Sequence, residues 1–127
     1  MNGDNGKLLI YQVLPRLYGN VSGKNRPGGS IEENGCGKLS HVTRERLADL
    51  KGLGFTHVWY TGILEHATTT PYPGITHDHP DVVKGRAGSP YAIKDYYDVD
   101  PDLADDPAER RDDFRRLVDR THAAGLG

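Results

Sequence analysis

Apolar residues fall in short runs along this chain, and the period of each run predicts an element. Lys7 to Leu14 reads KLLIYQVL and is closed by Pro15. A run this rich in β-formers predicts a buried strand over 7–14. Residues 19–38 are dominated by glycine and polar side chains, which predicts a loop. Thr43 is placed to cap a helix, with Val42 and Leu47 at the two positions of a hydrophobic staple. The helix is expected over 43–53, with Leu47, Leu50 and Leu53 along one side and Gly54 as its stop. Phe55 to Tyr60 predicts a second strand. Strand, loop, helix, tight turn and strand make a βαβ unit, which implies parallel strands and a right-handed crossover.

From Thr61 to Asp105 no helical period is sustained, and the stretch 61–105 reads as a long loop of functional type. Tyr72, Tyr91, Tyr96 and Tyr97 within it argue against disorder. A second helix is expected over 107–124. Asp106, Pro107 and Glu109 look like a capping box, and Phe114, Leu117, Val118, Thr121 and His122 follow helical spacing up to Gly125. The polar residues 1–6 read as a disordered terminus. The second helix is built to cover a third strand, which is not within the sequence, so the chain reads as a piece of a larger α/β protein.

Composition supports that reading. The 127 residues include 16 glycines and 8 prolines, and only 35% are hydrophobic, which implies long loops and a small core. Sixteen Lys and Arg against 18 Asp and Glu leave a net charge of −2, with no basic block for nucleic acid or an anionic membrane. The apolar runs are too short to span a bilayer, and no signal-peptide core follows Met1, so the compartment stays open. A single cysteine, Cys36, excludes an internal disulfide framework.

Function in parallel α/β proteins gathers where strands end and loops begin. The segments after Leu14 and after Tyr60 are long, whereas the turn at Gly54 is short, so the former mark the functional face. The glycine-rich stretch before Lys38 fails the phosphate-loop pattern, with Glu32 where a glycine belongs and Leu39 in the Ser/Thr place. His77 and His79, flanked by Asp78 and Asp81, are acceptable zinc ligand types without a fourth partner in sequence, and a polar turn is the simpler account. Glu32, Glu33 and Asn34 fit no calcium loop. Glu65 and His66 follow the second strand closely and are candidate substrate contacts. Asp95, Asp98 and Asp100 add carboxylates, but spacing alone does not show two acids flanking a scissile bond. Tyr91, beside Lys94 and Asp95, offers an apolar body with a polar tip, which suits a sugar ring. Tyr96 and Tyr97 are expected to pack the loop against the strands.

Several of these segments resemble one known family. Ile10-Tyr11-Gln12-Val13-Leu14-Pro15, Gly54-Phe55-Thr56-His57-Val58-Trp59-Tyr60-Thr61, Ser89 through Pro101 (SPYAIKDYYDVDP), and the Phe114, Leu117-Val118, His122, Gly125 pattern are similar, in this order, to the first part of the α-amylase family, glycoside hydrolase family 13. The resemblance covers about residues 7 to 127. It implies an α/β fold that is the N-terminal part of a (β/α)8 TIM barrel, about two βα units plus a long βα loop, incomplete within this chain. It also implies a parent enzyme that cleaves or transfers α-glucosidic bonds with retention, through an Asp nucleophile and a Glu acid/base. Those acids belong to later strands, so no catalytic residue is expected here. By position, Tyr91 resembles the tyrosine that stacks on the bound glucose. Asp95, Glu65 and His66 complete the candidate substrate-binding set, Asp95 more as a support.

The implied partner is an α-glucan or maltooligosaccharide, with no nucleic acid and no membrane. No cofactor and no metal are expected in this chain, while calcium in a full-length parent is compatible with the resemblance. Two rival readings remain: a non-catalytic carbohydrate-binding or interaction remnant of such a barrel, and a complete small α/β enzyme using Glu65 and Asp95.

Overall fold

The computed structural model describes residues 6–127. The expected disordered terminus falls, but for Gly6, outside the described residues.

Two short strands form the parallel pair. β1 (Ile10–Val13) runs beside β2 (His57–Tyr60), with Ile10 opposite His57 and Val13 opposite Tyr60. Both strands are shorter than the runs that predict them: at the start Leu9 N donates to the Thr56 side chain rather than to a strand carbonyl, and at the end of β1 Leu14 turns into the one-turn helix α1 (Pro15–Tyr18). Proline at its first position has no N–H to satisfy, so it starts that turn readily. The crossover between the strands is not wholly irregular. Helix α2 (Ile31–Asn34) interrupts the predicted loop, held by a capping box in which Ser30 Oγ accepts from Glu33 N and Glu33 Oε2 accepts from Ser30 N.

Helix α3 (Arg44–Gly52) follows, and Thr43 Oγ1 accepts the Arg46 backbone N–H at its start. Val42, Leu47 and Leu50 are buried, but Leu53 faces solvent. The reason is geometric. Each i+3 step lags about 60° round a helix, so Leu53 stands about 120° from Leu47. Helix α4 (Arg110–Ala123) is entered through a 3-10 turn at Pro107–Glu109, whose cap is the Asp106 carboxylate accepting from Ala108 N, so no capping box forms. Leu117 and Thr121 are buried, and His122, about 140° round from Leu117, is exposed.

The core lies between the strand pair and these two helices. Val13, Leu39, Val42, Leu47, Leu50 and Leu117 form its centre. Polar bonds fix the layers: Tyr60 OH meets Thr121 Oγ1 at 2.7 Å, and the Arg120 guanidinium donates to the carbonyls of Leu39 and Val42. Beyond α4 the chain returns to β2. Gly127 N donates to Thr56 O and Gly127 O accepts from Val58 N, so Gly127 lies in parallel register on the edge of β2 away from β1.

The stretch 61–105 is not a single loop. It contains β3 (Leu64–His66) and β4 (Ile93–Val99), paired antiparallel with irregular register, and 3-10 turns at Pro80–Val82 and Pro101–Leu103. The acids within β4 mask its strand character, and its pairing partner lies 27 residues or more away, so no local signal reveals it.

Candidate functional site

The turn that carries Tyr91 is fastened to the ends of both parallel strands. Gly62, just past β2, has φ +76°, and a side chain there would press on Pro90 and on Leu14, just past β1. Arg16 Nη1 donates to Gly88 O at 2.7 Å, and Ala67 N donates to Ala92 O at 3.0 Å. These bonds hold residues 88–92 at the carboxyl ends of β1 and β2. Tyr91 itself projects into solvent, 68% exposed, and its backbone N–H donates to Ser89 Oγ. An aromatic face so placed, on a braced turn, can stack on a ligand without moving.

Glu65 and His66 are not open contact groups. The structure buries them to 5% and 2% exposure, because they lie on β3 beneath β4 and the following 3-10 turn. Glu65 sits opposite Asp95 in the ribbon, with Lys94 Nζ 3.7 Å away. Burial pushes the Glu65 carboxyl above its usual range, and the nearby Asp98 and Asp95 add to this against the pull of Lys94. Asp95 accepts from Tyr97 N and braces β4. Asp98 is clasped by Arg110 through Nε (3.0 Å) and Nη2 (2.7 Å) and by Arg111 Nε (3.3 Å). The Arg110 guanidinium holds the Asp98 carboxyl well below the ordinary carboxylate range.

Tyr96 and Tyr97 do not pack against the strands. Both are exposed, since none of the described elements covers β4 at these positions. With Trp59, Leu64 and Phe114 they line an open groove of about 470 Å3.

His66 heads a buried polar cluster that sequence reasoning did not assemble. Its Nδ1 lies 2.9 Å from Ala67 O and its Nε2 lies 2.9 Å from Asp100 Oδ2. A carbonyl only accepts, so Nδ1 carries a proton. Burial works against a charged imidazole here, but the Asp100 carboxylate outweighs it and holds His66 above the usual imidazole range. Asp100 is oriented by the N–H groups of His66 and Asp102. Tyr72 OH donates to Asp102 Oδ1, and Lys38 Nζ donates to the Asp102 carbonyl at 2.6 Å. Burial, followed by the Asp100 charge, pushes Asp102 upward, and burial likewise keeps the Tyr72 phenol and the Cys36 thiol (pushed up to about 12) protonated. The alternation Asp98, Asp100, Asp102 was the available signal: Asp100 and Asp102 sit at a Pro101 turn and face the same cluster. Among the described residues, His77 and His79 do not gather a ligand set. Asp78 between them is engaged by Lys94 Nζ and Thr68 N instead.

Comparison with protein-family models gives no match, and comparison with curated proteins gives none either. Several solved structures are similar, among them two enzymes. One is a noncanonic maltogenic α-amylase, AmyB, from Thermotoga neapolitana, 28% identical, with a TM-score of 0.57 over 94% of this chain and 21% of that one. The other is a gamma-CGTase from Alkalophilic bacillus clarkii, 17% identical, with a TM-score of 0.58 over 94% of this chain and 17% of that one. The chain shares its fold with part of an α-amylase. It spans about a fifth of the length of these enzymes, and its short mixed sheets and helices are consistent with part of a barrel.

Proposed function

We propose that this chain is the opening segment of an α-amylase-type (β/α)8 barrel, and that it supplies one wall of a glucan-binding cleft while the bond-breaking acids lie in later strands. The observation that carries this reading is Tyr91, exposed on a turn braced at the carboxyl ends of two parallel strands. That is the face where barrel enzymes bind substrate. The likeness of fold to a maltogenic α-amylase supports the glucan as ligand. The in-register position of Gly127 beside β2 supports continuation of the parallel sheet.

In this reading the tyrosine ring packs on the apolar face of a glucose unit. Asp95 stiffens the strand behind it, and Glu65 and His66 hold the ribbon rather than touch sugar. The sugar contact itself calls for no metal or cofactor. The hydrolysis or transfer, with retention at an α-glucosidic bond, belongs to the parent protein.

The test compares the protein that carries this chain with its Tyr91→Ala variant. Binding of a maltooligosaccharide is expected to weaken about tenfold or more, which corresponds to losing about 1.4 kcal/mol of stacking. Circular dichroism is expected to be unchanged, since the side chain is exposed. The 127 residues alone are expected to show no turnover. Unchanged binding in the variant removes Tyr91 from the site, and turnover by the isolated chain refutes the placement of the chemistry elsewhere.

A further inference from the structure

The buried cluster below the ribbon has a feature that its own hydrogen bonds do not account for. Asp102 Oδ2 has no hydrogen-bond partner among the described residues, although its side chain is only 3% exposed. An unpartnered carboxylate oxygen so deeply buried is costly to keep. It lies 3.9 Å from His66 Nε2, whose shorter contact, at 2.9 Å, is with Asp100 Oδ2. One donor atom from each of the three residues falls within 4.8 Å of the others.

We propose that His66 Nε2, Asp100 Oδ2 and Asp102 Oδ2 form a binding site for a divalent transition-metal ion of the zinc type. Four features support it. The donors are one imidazole and two carboxylates, a set that suits zinc. Ligand atoms at about 2.0–2.1 Å from a tetrahedral ion stand about 3.3 Å apart, and the two separations from Nε2 bracket that value. Each ligand is already oriented from behind: His66 by Ala67 O through Nδ1–H, Asp100 by two backbone N–H groups, and Asp102 by Tyr72 OH. Orientation of a histidine through its second nitrogen is the usual support of a metal-binding imidazole. Finally, two carboxylates with a neutral imidazole balance a doubly charged ion.

Binding replaces whatever proton stands between Nε2 and Asp100 and releases it to solvent. The ion then joins β3, the 3-10 turn after β4 and, through Tyr72, the 67–79 segment. Its role is to clamp the ribbon, and it is independent of glucan binding.

The experiment strips the protein with chelator and titrates it with Zn2+, reading calorimetry and the thermal midpoint, and with Co2+, reading visible absorption. One equivalent is expected to bind, with a rise in midpoint and a d–d spectrum of mixed nitrogen and oxygen ligation. Asp102→Asn, of the same shape, is expected to weaken Zn2+ binding at least tenfold. Tyr72→Phe keeps all three donors and is expected to weaken it about tenfold by loosening Asp102; it decides the matter should the first variant fail to fold. Absence of binding by the wild-type protein overturns the site. So does binding that survives unchanged in both variants, which assigns the ion to the exposed His77 and His79.

Discussion

Asp98 is an electrostatic joint that gathers two arginines, and replacing it with asparagine measures what that joint contributes. The carboxylate is 8% exposed and receives two bonds from Arg110, one from Arg111, and one from Val99 N. Together they tie the end of β4 to the start of α4. The Asp98→Asn substitution preserves the shape and the Val99 bond but removes the charge. Breaking one partner of a fully buried pair costs about 3–5 kcal/mol. Arg110 retains 19% exposure, so water reaches the guanidinium and the loss is smaller, about 2–3 kcal/mol, the range of one to two charge-assisted bonds. The pH dependence carries a definite sign. The folded carboxyl titrates far below its unfolded value near 3.9. Its stabilisation is therefore complete above about pH 4–5 and is lost as pH falls towards the folded value. The difference in unfolding free energy between wild type and Asp98→Asn, taken from urea titrations followed by circular dichroism, is expected to be constant from pH 6 to 7 and to shrink below about pH 4. A difference under about 0.5 kcal/mol at pH 7, or one that does not shrink in acid, refutes the reasoning.

Leu117→Ala empties a fully buried position between the two long helices, and a loss of about 2–5 kcal/mol is expected in the same titration; a loss below about 1 kcal/mol would mean that the helices do not meet there. Gly88 has φ +81°, and a methyl group there would collide with the Ala67 carbonyl that receives His66 Nδ1–H. Gly88→Ala is therefore expected to cost about 1–3 kcal/mol and to shift or broaden the His66 ring N–H resonance, while an unperturbed resonance in a variant of wild-type stability contradicts the contact.

The elements legible in the sequence are those whose signal is local. Thr43 and the staple of Val42 and Leu47 mark α3, and apolar spacing in 110–123 marks α4. Parallel pairing of β1 with β2 follows from the helix between them. Helix α2 is not legible because a single turn of four residues shows no apolar period, and its Ser30–Glu33 capping box stands among glycines. β4 escaped for a different reason: its identity as a strand depends on β3, which is distant in sequence and only three residues long. At the candidate site, Tyr91 could be picked out as a polar-tipped aromatic on the functional face. Glu65 and His66 could be placed just past β2, but not their burial, since a charged residue in a loop ordinarily faces water. Their partners Asp98, Asp100 and Asp102 come from the far strand of the ribbon and its following turn, so only the folded chain assembles the cluster.

The first contact of the parallel pair joins Leu9 N to Thr56 Oγ1, 47 residues apart. Closing that span costs entropy before the strands pair, and each doubling of such a loop adds about 0.6 kcal/mol, offset in part by the bonds of Gly37 N to Arg16 O and Asn20 Nδ2 to Asn34 O inside it. Assembly is accordingly paced by a search for a distant partner, with α3 and its tight turn into β2 available early as the local template. Shortening the exposed segment 21–25, which stops before the bonds of Arg26 to Asn34 and of Gly28 to Arg86, is therefore a route to faster folding.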